Sequence, residues 1–150
     1  MQNLSARSVF FVKDAERSLS YYTSALGFAL DWKHQVQGKV FVFQVSLLGF
    51  QLILNQTESW TDGRAGHGRV FIGLDTEQVE PFRRHLAEKL IKTTVIHWGA
   101  PTLVIRDVDE NELFFWLPEN ERAGLEAELA TLDFGRAVLE PMSRSDRTST

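Results

Sequence analysis

The period of the apolar positions changes twice along the chain, in the same order each time. Val9, Phe10, Phe11 and Val12 form a short continuous run, the mark of a strand over Arg7–Val12. Ala15, Leu19, Tyr22 and Leu26 follow at steps of four, three and four, one stripe of a helix. Asp14 is placed to cap that helix and Gly27 to stop it. Strands are expected at Phe28–Trp32, Lys39–Leu47 and Phe50–Asn55, with a turn at Leu48-Gly49. The same grammar then restarts. Arg69–Leu74 reads as a strand, Asp75 caps a second helix, and Gln78 completes a capping box. Val79, Phe82, Leu86 and Leu90 give this helix its stripe. Thr93–His97, Leu103–Arg106 and Glu112–Leu117 are the strands that follow. Asp14-Ala15-Glu16 and Asp75-Thr76-Glu77 hold equivalent places, and Tyr21 and Phe82 each stand seven residues beyond their Asp.

The pattern predicts an α+β fold made of two βαβββ modules, about 7–56 and 68–118, within a domain spanning 1–118. Thr57–Gly68 is rich in Gly, Ser, Thr and Asp and serves as the connector. Beyond Pro118, Asn120 is placed to cap a short helix carrying Leu125, Leu129 and Leu132, a helical extension over 119–135. The tail at 136–150 loses apolar density and is expected to be disordered. Each module would give a curved four-stranded sheet with its helix on one face. Set edge to edge, two such sheets make a half-open cup whose other face needs a cover.

Composition narrows the chemistry. The chain has 150 residues, 43% of them hydrophobic, enough for a core without staples. It has no cysteine, which removes disulfides, thiolate metal sites and a cysteine nucleophile. The net charge is −4 with basic residues scattered among acidic ones, not the basic face of a nucleic-acid binder. No apolar run approaches the ~20 residues of a membrane helix, and Met1–Arg7 lacks a signal core, so a cytoplasmic location is expected. No nucleophile elbow and no phosphate-binding glycine loop occurs. His34 and His97 fall at strand ends without a matched acid, and His85 reads as a surface residue. Aromatic residues crowd the strands. Phe41 and Phe43 alternate onto one face, as do Phe114 and Trp116, and at least one of these pairs should look into the cup.

Two segments carry a family resemblance. Val12-Lys13-Asp14-Ala15-Glu16-Arg17-Ser18-Leu19-Ser20-Tyr21-Tyr22 followed by Leu26-Gly27-Phe28 resembles the opening of the vicinal-oxygen-chelate superfamily. Trp98-Gly99 followed by Arg106-Asp107, with Asp109 and Asn111 beyond, resembles the Trp-Gly…Arg-Asp-Pro-x-Gly-Asn segment of its bleomycin-resistance branch. Val108 and Glu110 stand where that motif has Pro and Gly.

The resemblance implies a homodimer that sequesters a small molecule, such as a bleomycin-type antibiotic, in an aromatic groove at the dimer interface. Carried over to this chain, the groove would use Asp31, Trp32, His34, Phe41, Phe43, Trp60, Trp98, Gly99, Phe114 and Trp116. Asp31 is the candidate partner for a cationic group on the ligand. The superfamily's enzymes hold a divalent metal at four strand positions. These fall at about Arg7, Leu52, Arg69 and Phe114, none of which can ligate. No cofactor, no catalytic residue and no metal are therefore expected. The alternative is a glyoxalase-like or dioxygenase-like enzyme with a displaced metal on Gln51, His67 and Glu112, or a metal-free catalyst using His34 or His97. Against the metal, His67 sits in a glycine-rich loop and Glu112 reads as a solvated charge beside a turn.

Overall fold

A computed structural model describes residues 4–131, with side chains as far as 125. The expected tail and Leu132 lie outside the described residues, as does the side chain of Leu129. The element order is β1 (Ser8–Val12), α1 (Ala15–Ser20), β2 (Ala29–Val36), β3 (Lys39–Leu47), β4 (Phe50–Gln56), β5 (Arg69–Gly73), α2 (Thr76–Glu88), β6 (Thr94–His97), β7 (Pro101–Arg106), β8 (Glu112–Trp116) and α3 (Glu119–Thr131). The strands form two four-stranded mixed sheets, ordered β1-β4-β3-β2 and β5-β8-β7-β6. Each sheet pairs its first and last strands in parallel and the rest antiparallel, so the two modules share one topology.

Local chemistry accounts for the boundaries. Asp14 sits in extended backbone and accepts the Arg17 N–H at 3.2 Å, an N-cap. The stripe from Ala15 to Leu26 is not one α-helix: it loosens into a π-helical turn over Tyr21–Ala25. Gly27, at φ 73°, then lets the chain leave for β2. At α2 the Gln78 side chain accepts the Asp75 N–H at 2.9 Å, the reciprocal arm of a capping box. Leu48 and Gly49 both take positive φ, the geometry that closes a two-residue hairpin between twisted strands. The second strand runs longer than its apolar pattern, to Val36, because backbone pairing with β3 continues through polar residues.

One core joins the helix-side faces of both sheets. Phe10, Val12, Phe43, Val45, Leu52 and Leu54 of the first module meet Leu103, Ile105, Leu113 and Phe115 of the second, with Tyr22, Leu26, Val79 and Phe82 from the helical segments. A polar latch also ties the modules. Tyr22 donates to Asp107 Oδ2 at 2.9 Å, and Asn111 Nδ2 donates to the Phe11 carbonyl at 3.1 Å. Asp107 lies at the turn between β7 and β8. Its Oδ1 accepts the N–H groups of Asp109 and Asn111 at 2.8 and 2.9 Å, and its Oδ2 also accepts Asn111 Nδ2 at 3.0 Å. This is the Asp-x-Asp-x-Asn segment found in the sequence. Glu110, in its family glycine position, takes φ 74°, the left-handed conformation for which glycine is the easy residue. His85 is not a free surface residue: its Nε2 lies 2.6 Å from the Leu26 carbonyl, across the module junction.

Candidate functional site

Alternation along β8 separates two sets of side chains. Leu113 and Phe115 go to the shared core, whereas Glu112, Phe114 and Trp116 point to the opposite, open face of the second sheet. On β7, Val104 and Arg106 point the same way, opposite Phe114 and Glu112. Ile96 of β6 joins them, so Ile96, Val104 and Phe114 form a small second cluster. Four aromatic rings cover this face. Trp98 meets Phe114 at 5.1 Å and Trp116 at 6.2 Å, and Phe71 meets Trp116 at 4.8 Å and Trp98 at 6.0 Å between centroids. These edge-to-face and tilted contacts fix the rings against each other. The Trp116 indole N–H is satisfied by Thr102 Oγ1 at 2.8 Å. Gly99, at φ 74°, turns the chain directly behind Trp98, which remains 36% exposed.

Glu112 lies at the base of the array with no exposed surface. Arg69 donates to its Oε1 through Nε and Nη2 at 3.2 and 2.9 Å. Arg106 approaches Oε2 with Nε at 3.2 Å and Nη2 at 3.1 Å. Burying a carboxylate is tolerable only with such pairing. Glu112 is thus not the solvated charge that its place beside a turn suggested; residues distant in sequence bury and neutralise it. The Arg69 guanidinium also lies 4.3 Å from the Phe114 ring centroid and 6.0 Å from that of Trp98. Arg122, at the start of α3, lies 4.8 Å from that of Trp116.

The open face of the first sheet mixes apolar side chains (Val9, Phe11, Val42 and Ile53) with polar ones. Trp32 pairs with Gln44 and His34 with Val42, so both stand on this face. Asp31 falls at a bulge and accepts Gln44 Nε2 and Ser46 Oγ, each at 2.8 Å, while Arg7 donates to Gln44 Oε1 at 2.7 Å. The structure therefore gathers Trp98, Gly99, Phe114 and Trp116 at one place and Asp31, Trp32 and His34 at another. Phe43 is in neither. It is fully buried on the helix side, because its register opposite Leu54 sends it into the core. Phe41 falls at a bulge opposite β2, which breaks the alternation that had paired it with Phe43. Trp60 is 96% exposed in the connector and makes no ring contact among the described residues. It lines a shallow recess with Lys13, Glu58 and Asp62. Asp62 there is bound by Arg64, whose hydrogen bonds hold its carboxyl well below the usual carboxylate range.

Phe71, Arg69, Arg106, Thr102 and Arg122 were not among the candidates from sequence. For the four strand residues, parity with Phe114 across β5, β7 and β8 was the available signal, but it needed the strand pairing to be used; Arg122, on α3, carried no such signal. Phe71 also borders a cleft of about 400 Å³ against the β3–β4 hairpin, lined by Leu47, Phe50, Ile72, Gln78 and Phe82.

A family model described as the Glyoxalase/Bleomycin resistance protein/Dioxygenase superfamily matches residues 6–115. The chain belongs to this superfamily. A search of curated proteins finds no match. Among solved structures, the bleomycin-binding protein from bleomycin-producing Streptomyces verticillus, in complex with copper(II)-bleomycin, is 19% identical with TM-score 0.56, covering 79% of this chain and 99% of that one. A glyoxylase/bleomycin resistance protein/dioxygenase domain from Frankia sp. EAN1pec is 17% identical with TM-score 0.55, covering 83% and 99%. TnmS3, an antibiotic binding protein from Streptomyces sp. CB03234, is 20% identical with TM-score 0.51, covering 79% and 100%. At these identities the likeness is one of fold.

The superfamily's metal does not fit the residues present. Leu52 is a core residue on the helix side, and neither Arg69 nor Phe114 offers a lone pair. The displaced set fares no better. Glu112 is engaged by two guanidiniums, whereas Gln51 lies on the other sheet, opposite Ser46. Among the described residues no group of three or more His, Cys, Asp or Glu converges. No described helix is long and apolar enough to cross a membrane.

Proposed function

We propose that this chain binds an aromatic, drug-like small molecule on the open face of its second sheet and sequesters it unchanged, as a homodimer and without a metal. The carrying observation is the array of Trp98, Phe71, Trp116 and Phe114, held rigid beside a cleft and partly open to solvent. Flat rings fixed in advance bind flat ligands with little loss of side-chain entropy. Two relatives of the same fold are, by their names, a bleomycin-binding protein and an antibiotic binding protein, which supports an antibiotic of the bleomycin type as the first ligand to try. Asp31, Trp32 and His34, on the other open face, and Trp60 on the connector are proposed as the opposing wall, brought to the array by the second copy. The displaced-metal alternative loses its carboxylate to Arg69 and Arg106.

The test is a tryptophan-fluorescence titration of metal-stripped protein with bleomycin, with and without added copper or zinc, repeated on Trp98→Ala. Saturable quenching, recovery of intact drug by mass spectrometry and at least tenfold weaker binding by the variant are expected, tenfold being ~1.4 kcal/mol. Turnover of the drug, or affinity unchanged by Trp98→Ala, would sink the proposal.

A further inference from the structure

We infer that the ligand carries an anionic group, a carboxylate, sulfonate or phosphate joined to its planar ring system, that Arg69 and Arg106 receive it, and that Arg122 adds positive charge at the Trp116 end of the array. This rests on the reading that the array binds a small molecule and goes beyond it by naming the charge; bleomycin, which carries no carboxylate, sulfonate or phosphate, then tests the rings alone. An aromatic array by itself invites cations. Here that place is already taken by the protein's own guanidiniums: Arg69 against Phe114 and Trp98, and Arg122 against Trp116. An incoming cation meets like charge at both positions. The ionic count points the same way. Among the described residues, Arg69 and Arg122 lie against rings of the array and Arg106 stands at its base, and the buried carboxylate between Arg69 and Arg106 is that of Glu112, whose two oxygens take one arginine each.

Arg106 Nη2 is buried 3.1 Å from Glu112 Oε2, so it is the rest of the guanidinium that faces outward. Arg69 and Arg106 keep 26% and 22% of their side chains exposed, so neither is sealed off. Glu112 also holds the two forks in place beneath the rings, and a preset pair of guanidinium planes suits a planar oxyanion. Asp31, the residue suited to a cation, has both oxygens bound by neutral donors on the other sheet.

Three probes of one shape and different charge decide it: naphthoate, naphthamide and naphthylmethylammonium. Calorimetric titration should rank them anion, neutral, cation, with naphthoate at least tenfold tighter than naphthamide. The gap should shrink between about 20 mM and about 500 mM salt. Arg106→Gln should remove most of the gap between naphthoate and naphthamide. Arg122→Gln, outside the buried ion pairs, should narrow it a few-fold and serves if Arg106→Gln fails to fold. Equal affinities, or tightest binding of the ammonium probe, would overturn the anion assignment and leave the binding reading standing. Failure of all three probes and of bleomycin to bind would take down both.

Discussion

Asp107→Asn tests the latch between the modules. The change keeps size and shape, so its effect is confined to hydrogen bonding and charge. Asp107 Oδ1, which accepts two backbone N–H groups, is retained as the amide oxygen. The new NH2 group must then replace Oδ2, which accepts Tyr22 Oη and Asn111 Nδ2. The tyrosine hydroxyl can rotate and accept. Asn111 cannot: its Oδ1 accepts the Gly68 N–H at 2.8 Å while its Nδ2 donates to the Phe11 carbonyl, so its amide is locked in one orientation. One buried donor–donor conflict results, costing about 1–3 kcal/mol. At about 2–4 °C per kcal/mol for a chain of this length, the melting temperature should fall by roughly 5 °C. The pH dependence supplies a second, independent sign. Burial pushes the Asp107 carboxyl above its ordinary value, against the pull of Asn111 and Tyr22. The folded state then holds its proton more tightly than the unfolded state does. Stability from this group is fully present below the unfolded carboxylate pKa and declines as pH rises through the folded one. The variant has no such titration. The stability gap between wild type and Asp107→Asn should therefore be widest near pH 3 and narrow towards pH 6, read by chemical denaturation at each pH. A gap that widens with pH would show that the hydrogen bonds outweigh burial; no gap at any pH would refute the latch.

Other substitutions follow from the same structure. Tyr22→Phe should cost about 1–2 kcal/mol; because burial raises the Tyr22 hydroxyl well above its usual 10.0, wild type should lose stability above pH 10 as unfolded tyrosine ionises, and the variant should lose less there. Glu110→Gly should gain about 0.5–1 kcal/mol by relieving a left-handed non-glycine residue, seen as a melting point raised by a few degrees. Glu112→Ala should cost about 3–5 kcal/mol in urea denaturation, since it leaves Arg69 and Arg106 facing each other around a cavity; an unchanged midpoint would mean that the buried ion pairs contribute nothing.

The order of elements was legible in the sequence because it is written in local chemistry. Apolar spacing, the caps at Asp14 and Asp75, and the breakers at Gly27 and Gly49 act over a few residues, and each sits where it was expected. The repeat of that order placed two modules of one topology in the chain. What the sequence could not decide is which face of each strand meets the core. Phe43 and Phe114 have the same apolar character and similar neighbours, yet one is core on the helix side and the other floors the open face. Pairing decides it: Phe43 aligns with Leu54, and Phe114 with Val104 and Phe71. The bulges at Asp31 and Phe41 break the alternation on which any count along the strand depends.

Charge shows the same division. Composition alone gives a mildly acidic chain with no basic run, and that average is correct. Only tertiary structure brings Arg69 and Arg106 to either side of Glu112 and swings Arg122 against Trp116, making an arginine-rich aromatic face inside an acidic protein. Periodicity reports what a segment needs to bury. Which charges meet is settled by contacts between residues as far as 43 positions apart at Glu112 and 92 at Asp109, and such contacts exist only once the sheets have formed.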